Sequence, residues 1–96
     1  MTNPKNEREQ AWIGDAVLEL FVRKWILREE GEMDGDKKTR FTSNRFLACF
    51  GNPTSVEAKI GRTYEAEGLE AAFTLIENEF LPLFLKQEAK ANRRKA

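Results

Sequence analysis

Apolar residues recur at intervals of three and four along most of this chain, and no stretch alternates apolar with polar over a strand's length. Trp12, Ile13, Ala16, Val17, Leu20, Phe21, Ile26 and Leu27 set the first rhythm, and Leu18, Val22 and Trp25 widen it. The pattern predicts a helix from Pro4 or Lys5, where proline suits a first turn, to about Glu30. Gly31 is a good stop. A helix this apolar is expected to be central and covered on most sides. Residues 31–38, rich in Gly, Glu, Asp and Lys, predict an exposed loop. A second helix over about Thr39 to Phe50 would turn Phe41, Phe46, Leu47 and Phe50 inward. Gly51-Asn52-Pro53 punctuates the chain, and a third helix follows from Pro53 or Thr54 to just before Gly68. A fourth, from about Leu69, carries Ala72, Phe73, Ile76 and Phe80, then Leu83 and Phe84, with Pro82 kinking or breaking it. From Lys86 the sequence is polar, so residues 86–96 are expected to fray. The expected fold class is all-α, with one domain over residues 1–96.

Size and charge sharpen this picture. At 96 residues the chain buries a modest fraction of its surface, and pairing with a second copy would enlarge its core. Sixteen Lys and Arg balance sixteen Asp and Glu, which does not announce a nucleic-acid binder. The charge is unevenly spread, however: Lys37, Lys38, Arg40 and Arg45 cluster in the middle, and Arg93, Arg94 and Lys95 lie near the end. Histidine is absent, which excludes histidine-based triads and general bases and argues against zinc. No glycine-rich phosphate loop is present. No apolar stretch is long enough to span a membrane, and the amino terminus lacks the apolar region of a signal peptide. The single cysteine, Cys49, cannot form an internal disulfide and reads as a small core residue in a reducing compartment, the cytoplasm.

The candidate chemistry lies where two helices each hold a glycine and a carboxylate among apolar residues. Gly14 precedes Asp15 in the first helix, and Glu57 lies one turn before Gly61 in the third. A glycine inside a helix costs about 1 kcal/mol relative to alanine. A carboxylate in an apolar stripe is costly unless it is paired or binds a metal. Close approach of the helices at Gly14 and Gly61 would bring Asp15 and Glu57 together, a pairing suited to a hard divalent cation such as magnesium. Simpler readings stand beside this one. Glu19, one turn from Asp15, could pair with Arg23 on a solvated face. Thr54-Ser55-Val56-Glu57 matches a capping box, which would explain Glu57 without a metal. The Lys37–Arg45 cluster could be loop solvation, and Trp12 and Trp25 read as core or dimer contacts before base-stacking platforms.

These segments resemble the signatures of the ribonuclease III family, which cuts double-stranded RNA. Ala11-Trp12-Ile13-Gly14-Asp15-Ala16-Val17-Leu18-Glu19 is similar to its first motif, glutamate-x-leucine-glycine-aspartate-alanine-valine-leucine-glutamate. Val56-Glu57-Ala58-Lys59-Ile60-Gly61 is similar to the second, aspartate-x-x-glutamate-alanine-x-isoleucine-glycine. Thr42-Ser43-Asn44-Arg45-Phe46-Leu47-Ala48 resembles the family's valine-serine-asparagine-x-x-leucine-alanine, and the likeness continues through Tyr64 and Gly68-Leu69-Glu70-Ala71-Ala72 to Leu81-Pro82-Leu83.

The resemblance implies an all-helical domain that forms a symmetric homodimer through the first-motif helix. It implies a magnesium-dependent endoribonuclease, with manganese as a substitute, acting on double-stranded RNA and plausibly in ribosomal RNA maturation. Asp15 and Glu57 match the central metal-site carboxylates. Glu19, Glu32 (in a shifted register) and Asn44 are candidate accessory residues. Lys37, Lys38, Arg40 and Arg45, with Lys59 and Arg62 beside the site, are candidate phosphate contacts. Two further family carboxylates are replaced here by Ala11 and Thr54, a pattern similar to the Mini-III branch, which lacks a double-stranded-RNA-binding domain. The family's long stretch between the leucine-alanine motif and the second signature helps Mini-III engage RNA, and only Cys49 to Val56 stand there in this chain. The resemblance therefore carries an alternative, a non-catalytic dimer of the same fold that binds RNA or a protein partner.

Overall fold

A computed structural model describes residues 4–95, with side chains from 6 to 93. Residues 1–3 and 96 of the expected domain lie outside the described residues. The order of elements is α1 (Pro4–Glu30), α2 (Gly35–Thr42), α3 (Asn44–Leu47), a 3-10 turn (Ala48–Phe50), α4 (Pro53–Glu67), α5 (Leu69–Glu79) and α6 (Leu81–Lys95). No strand forms among the described residues, as the periodicity predicts.

The 27-residue α1 is the axis on which the rest packs. Its C-terminal half joins an aromatic core with Phe41 of α2 at the centre. The Phe41 ring lies 4.4 Å from that of Phe84 in α6, 5.3 Å from Phe46 in α3, 5.9 Å from Trp25 and 6.3 Å from Phe21 in α1. Most of these contacts are edge-on, the arrangement that aromatic quadrupoles favour. Leu18, Val22, Leu47, Ile60, Ile76 and Phe80 are the other large side chains buried most fully.

Several boundaries differ from the sequence reading, each for a local reason. Part of the expected loop is helix: Asp34 caps α2, its Oδ1 accepting the Lys37 N–H at 3.0 Å. Ser43 then interrupts the expected second helix and caps α3 through the Phe46 N–H at 3.1 Å. Gly68, at φ 96°, turns the chain between α4 and α5, a conformation that favours glycine. Pro82 sits in the first turn of α6, just after the break between α5 and α6, as expected. Beyond it α6 continues as helix to Lys95, through the segment expected to fray. Cys49 is exposed rather than a core residue, since it lies on the outer side of the short 3-10 turn.

The expectation that α1 is covered on most sides is also corrected. Trp25 is core, but Trp12 is 79% exposed, and Ile13, Leu20 and Leu27 are exposed to a lesser degree. Within the chain, α2, α4 and α5 cover one broad stripe of α1 and leave a second apolar stripe bare. No helix among the described residues is long and apolar enough to cross a membrane.

Candidate functional site

The site is built on the crossing of α1 and α4, which meet main chain to main chain. A Cβ added at Gly14 would run into the Glu57 carbonyl oxygen and stand 2.9 Å from the Gly61 nitrogen. One added at Gly61 would run into the Gln10 carbonyl oxygen and stand 3.1 Å from the Gly14 nitrogen. Helices that pack through ordinary side chains keep their axes about 8–10 Å apart, and this crossing needs both glycines to come closer. Both are buried, and the contact they allow offsets their cost to helix formation.

That contact positions the carboxylates. Asp15 follows Gly14, and Glu57 is the residue whose carbonyl lies beneath Gly14. Both side chains are half-buried, within hydrogen-bonding reach of one another. Burial pushes the Glu57 carboxyl up to about 7, and the hydrogen bond and negative charge of Asp15 add to the rise. Glu57 therefore keeps its proton to higher pH than an exposed glutamate does. The capping alternative for Glu57 does not apply: Asn52 caps α4, its Oδ1 accepting the Thr54 and Ser55 N–H groups at 2.9 and 3.2 Å. Glu57 stands two positions too late for a capping box begun there.

The pair is an all-oxygen donor set, the kind a hard divalent cation takes, and two mutually repelling carboxyls favour any cation between them. Among the described residues no group of three or more His, Cys, Asp or Glu side chains converges. Ala11 and Thr54 carry no carboxylate, so neither adds a charged ligand. The residue that sequence reasoning missed is Glu7, whose Oε1 accepts from Ser55 Oγ at 3.4 Å and tethers the start of α1 to the start of α4. Its position two turns before Asp15 was the available signal.

The candidate accessory residues are not brought to the pair. Glu19 Oε1 accepts from Lys38 Nζ at 2.9 Å and Arg23 Nη2 at 3.3 Å. The Lys38 bond is the main cause holding its carboxyl below the usual range. Glu19 thus ties α1 to α2. Glu32 is exposed after the end of α1, and Asn44 is exposed at the start of α3. No hydrogen bond or ion pair among the described residues joins either to Asp15 or Glu57.

Most of the candidate phosphate contacts are engaged within the chain. Lys37 Nζ lies 2.6 Å from Glu30 and 5.0 Å from the Trp25 ring centre. Arg40 grips Glu88 of α6 with two bonds, Nε at 3.0 Å and Nη2 at 2.7 Å. Lys59 pairs with Glu79 at 2.9 Å, and Arg62 donates to the Gln10 side chain at 3.3 Å. Arg45 is exposed and has no ion pair among the described residues. Compared with known proteins, the chain matches no family model, no curated protein and no solved structure.

Proposed function

We propose that this chain is a minimal divalent-cation-dependent endoribonuclease acting on double-stranded RNA as a homodimer. One observation carries the reading. Two carboxyls on different helices, Asp15 and Glu57, are brought together where α1 and α4 cross at glycines, and burial, with the hydrogen bond and charge of Asp15, raises Glu57. Asp15 and Glu57 would hold magnesium or manganese, with water and RNA phosphate completing the shell. The cation supplies activation of water and charge neutralisation at a phosphodiester. The chain's own contribution is a fixed pair of acceptors on main-chain supports that side-chain motion does not disturb. Lys59 and Arg62 follow Glu57 on α4 and would meet phosphate there, Lys59 after leaving Glu79 and Arg62 after leaving Gln10. Lys37, Lys38 and Arg40 can do so only by leaving their carboxylate partners, an exchange costing about 1 kcal/mol or less for each exposed pair.

The bare stripe of Trp12, Ile13, Leu20 and Leu27 supports the homodimer, since a second copy would cover the side of α1 that this chain leaves exposed. A non-catalytic dimer that binds RNA is the second reading. It is favoured by a carboxylate set of two, with Ala11 and Thr54 where the resembled family keeps acids.

Incubating the full chain with long double-stranded RNA, with and without magnesium or manganese, tests the choice. The nuclease reading expects cation-dependent fragments and their loss in Asp15→Asn and Glu57→Gln. Cleavage retained by Glu57→Gln would remove Glu57 from the site. A chain that binds the RNA but leaves it whole with either cation would establish the second reading.

A further inference from the structure

We propose that the C-terminal part of α6, from Lys86 to Lys95, is a phosphate-contacting arm for double-stranded RNA. This rests on the RNA-directed reading above and names a contact surface beyond the α2 cluster. After Glu88 the sequence holds no acidic residue, and four of the six residues from Lys90 to Lys95 are cationic.

The helix is anchored at its start and leaves the body afterwards. Phe84 is buried against Trp25, Phe41 and Phe46. Gln87 reaches Cys49 at 3.8 Å, and Glu88 holds Arg40. From Ala89 to Arg93 every residue is exposed. At 1.5 Å per residue the helix extends about 10 Å past Glu88.

The two basic regions differ in what neutralises them. Lys37, Lys38 and Arg40 each face a carboxylate from elsewhere in the chain. Lys86, Lys90 and Arg93 have no ion pair among the described residues, and their spacing of four and three puts them on one side of α6. Complementing the helix dipole accounts for cations in the last turn but not for Lys86 and Lys90. In a chain of zero formal charge, this is a concentrated positive segment held out in solvent. Its chemistry favours a polyanion over a lipid surface: from Lys86 to Lys95 the only apolar side chains are Ala89 and Ala91, whereas a helix lying in a membrane interface needs bulky ones.

The test is binding of the full chain to a fluorescent RNA duplex in EDTA, which stops cleavage, over a range of salt concentrations. Two variants are compared: Lys86→Gln/Lys90→Gln/Arg93→Gln/Arg94→Gln/Lys95→Gln, and Lys37→Gln/Lys38→Gln/Arg40→Gln. Circular dichroism checks that each keeps its helices. The α6 variant should bind about tenfold or more weakly near 0.1 M salt. Its slope of log affinity on log salt should flatten by about 3–4, as expected when up to five phosphate contacts are lost. The α2 variant should lose clearly less. Three results would each overturn the proposal: an α6 variant with wild-type affinity and slope, a wild-type chain that does not bind the duplex at low salt, or tighter binding to phosphatidylserine vesicles than to RNA. A chain that binds through α6 yet cuts nothing with magnesium or manganese overturns the nuclease reading and leaves this one standing.

Discussion

The two halves of α1 are held by opposite means. Its C-terminal half sits in an aromatic cluster, and the charges around that cluster are matched: Glu19 with Lys38, Glu30 with Lys37, Arg40 with Glu88. Its N-terminal half meets α4 through bare main chain, and there like charges are set together. A chain able to pair its acids with bases at one end had the same means at the other. The unmatched pair at the crossing works against folding, and such a cost is expected at a site kept for chemistry rather than for stability.

The contrast can be broken at four points, taken from the largest expected effect to the smallest. Phe41→Ala would empty the centre of the aromatic cluster and cost about 3–5 kcal/mol, read as a large fall in thermal midpoint by circular dichroism. A fall of only a few degrees would show that the aromatic end matters less than its packing suggests, since 1 kcal/mol shifts a domain of this size by about 4–8 °C. Gly14→Ala should cost about 2–3 kcal/mol, because the methyl meets backbone that cannot rotate away. Wild-type stability in that variant would mean the helices do not touch as described.

The third point is pH. The unfolded Glu57 carboxyl ionises near 4.5 and the folded one near 7. Between these values the folded chain holds the extra proton, so stability falls as pH rises from about 4.5 to 7 and stays lowered above. Allowing for solvent screening, the loss is about 1 kcal/mol. Urea melts at pH 5 and pH 8 should show it in the wild type and not in Glu57→Gln, which should be the more stable protein at pH 8. Millimolar magnesium should recover part of the loss only in the wild type. Equal pH dependence in both proteins would separate the two carboxyls. The smallest effect is at the matched end: Glu88→Gln should cost about 1 kcal/mol or less, and less still at high salt. A larger, salt-insensitive loss would make that ion pair a structural member of the fold.

How far the sequence could be read follows from the same division. The glycine crossing was legible because glycine in a helix is unfavourable and so asks for a reason, and Asp15 and Glu57 came with it. Residues 35–38 were misread as loop because Gly, Asp and Lys suit loops, and only the cap by Asp34 shows that they begin a helix. Glu57 resembled a capping residue because Thr54 lies three before it, while Asn52 takes that role two residues earlier. Periodicity found the apolar positions of α1 except Ala11 but could not say which were covered. Trp12 and Trp25 belong to the same pattern and end on opposite terms with solvent. The ion pairs that occupy Lys38 and Arg40 span 19 and 48 residues and leave no local trace, and that of Lys37 crosses the turn after α1.

The meeting of Gln10 and Gly14 with Glu57 and Gly61 has a consequence for descent. The frame is specified by two positions that carry no side chain, and the proposed chemistry by Asp15 and Glu57, whose own side chains form no part of the frame. Mutations can therefore strike one without the other. A lineage could discard Asp15 or Glu57, gain stability at neutral pH, and keep its shape for some other use, whereas the loss of either glycine would end frame and chemistry together.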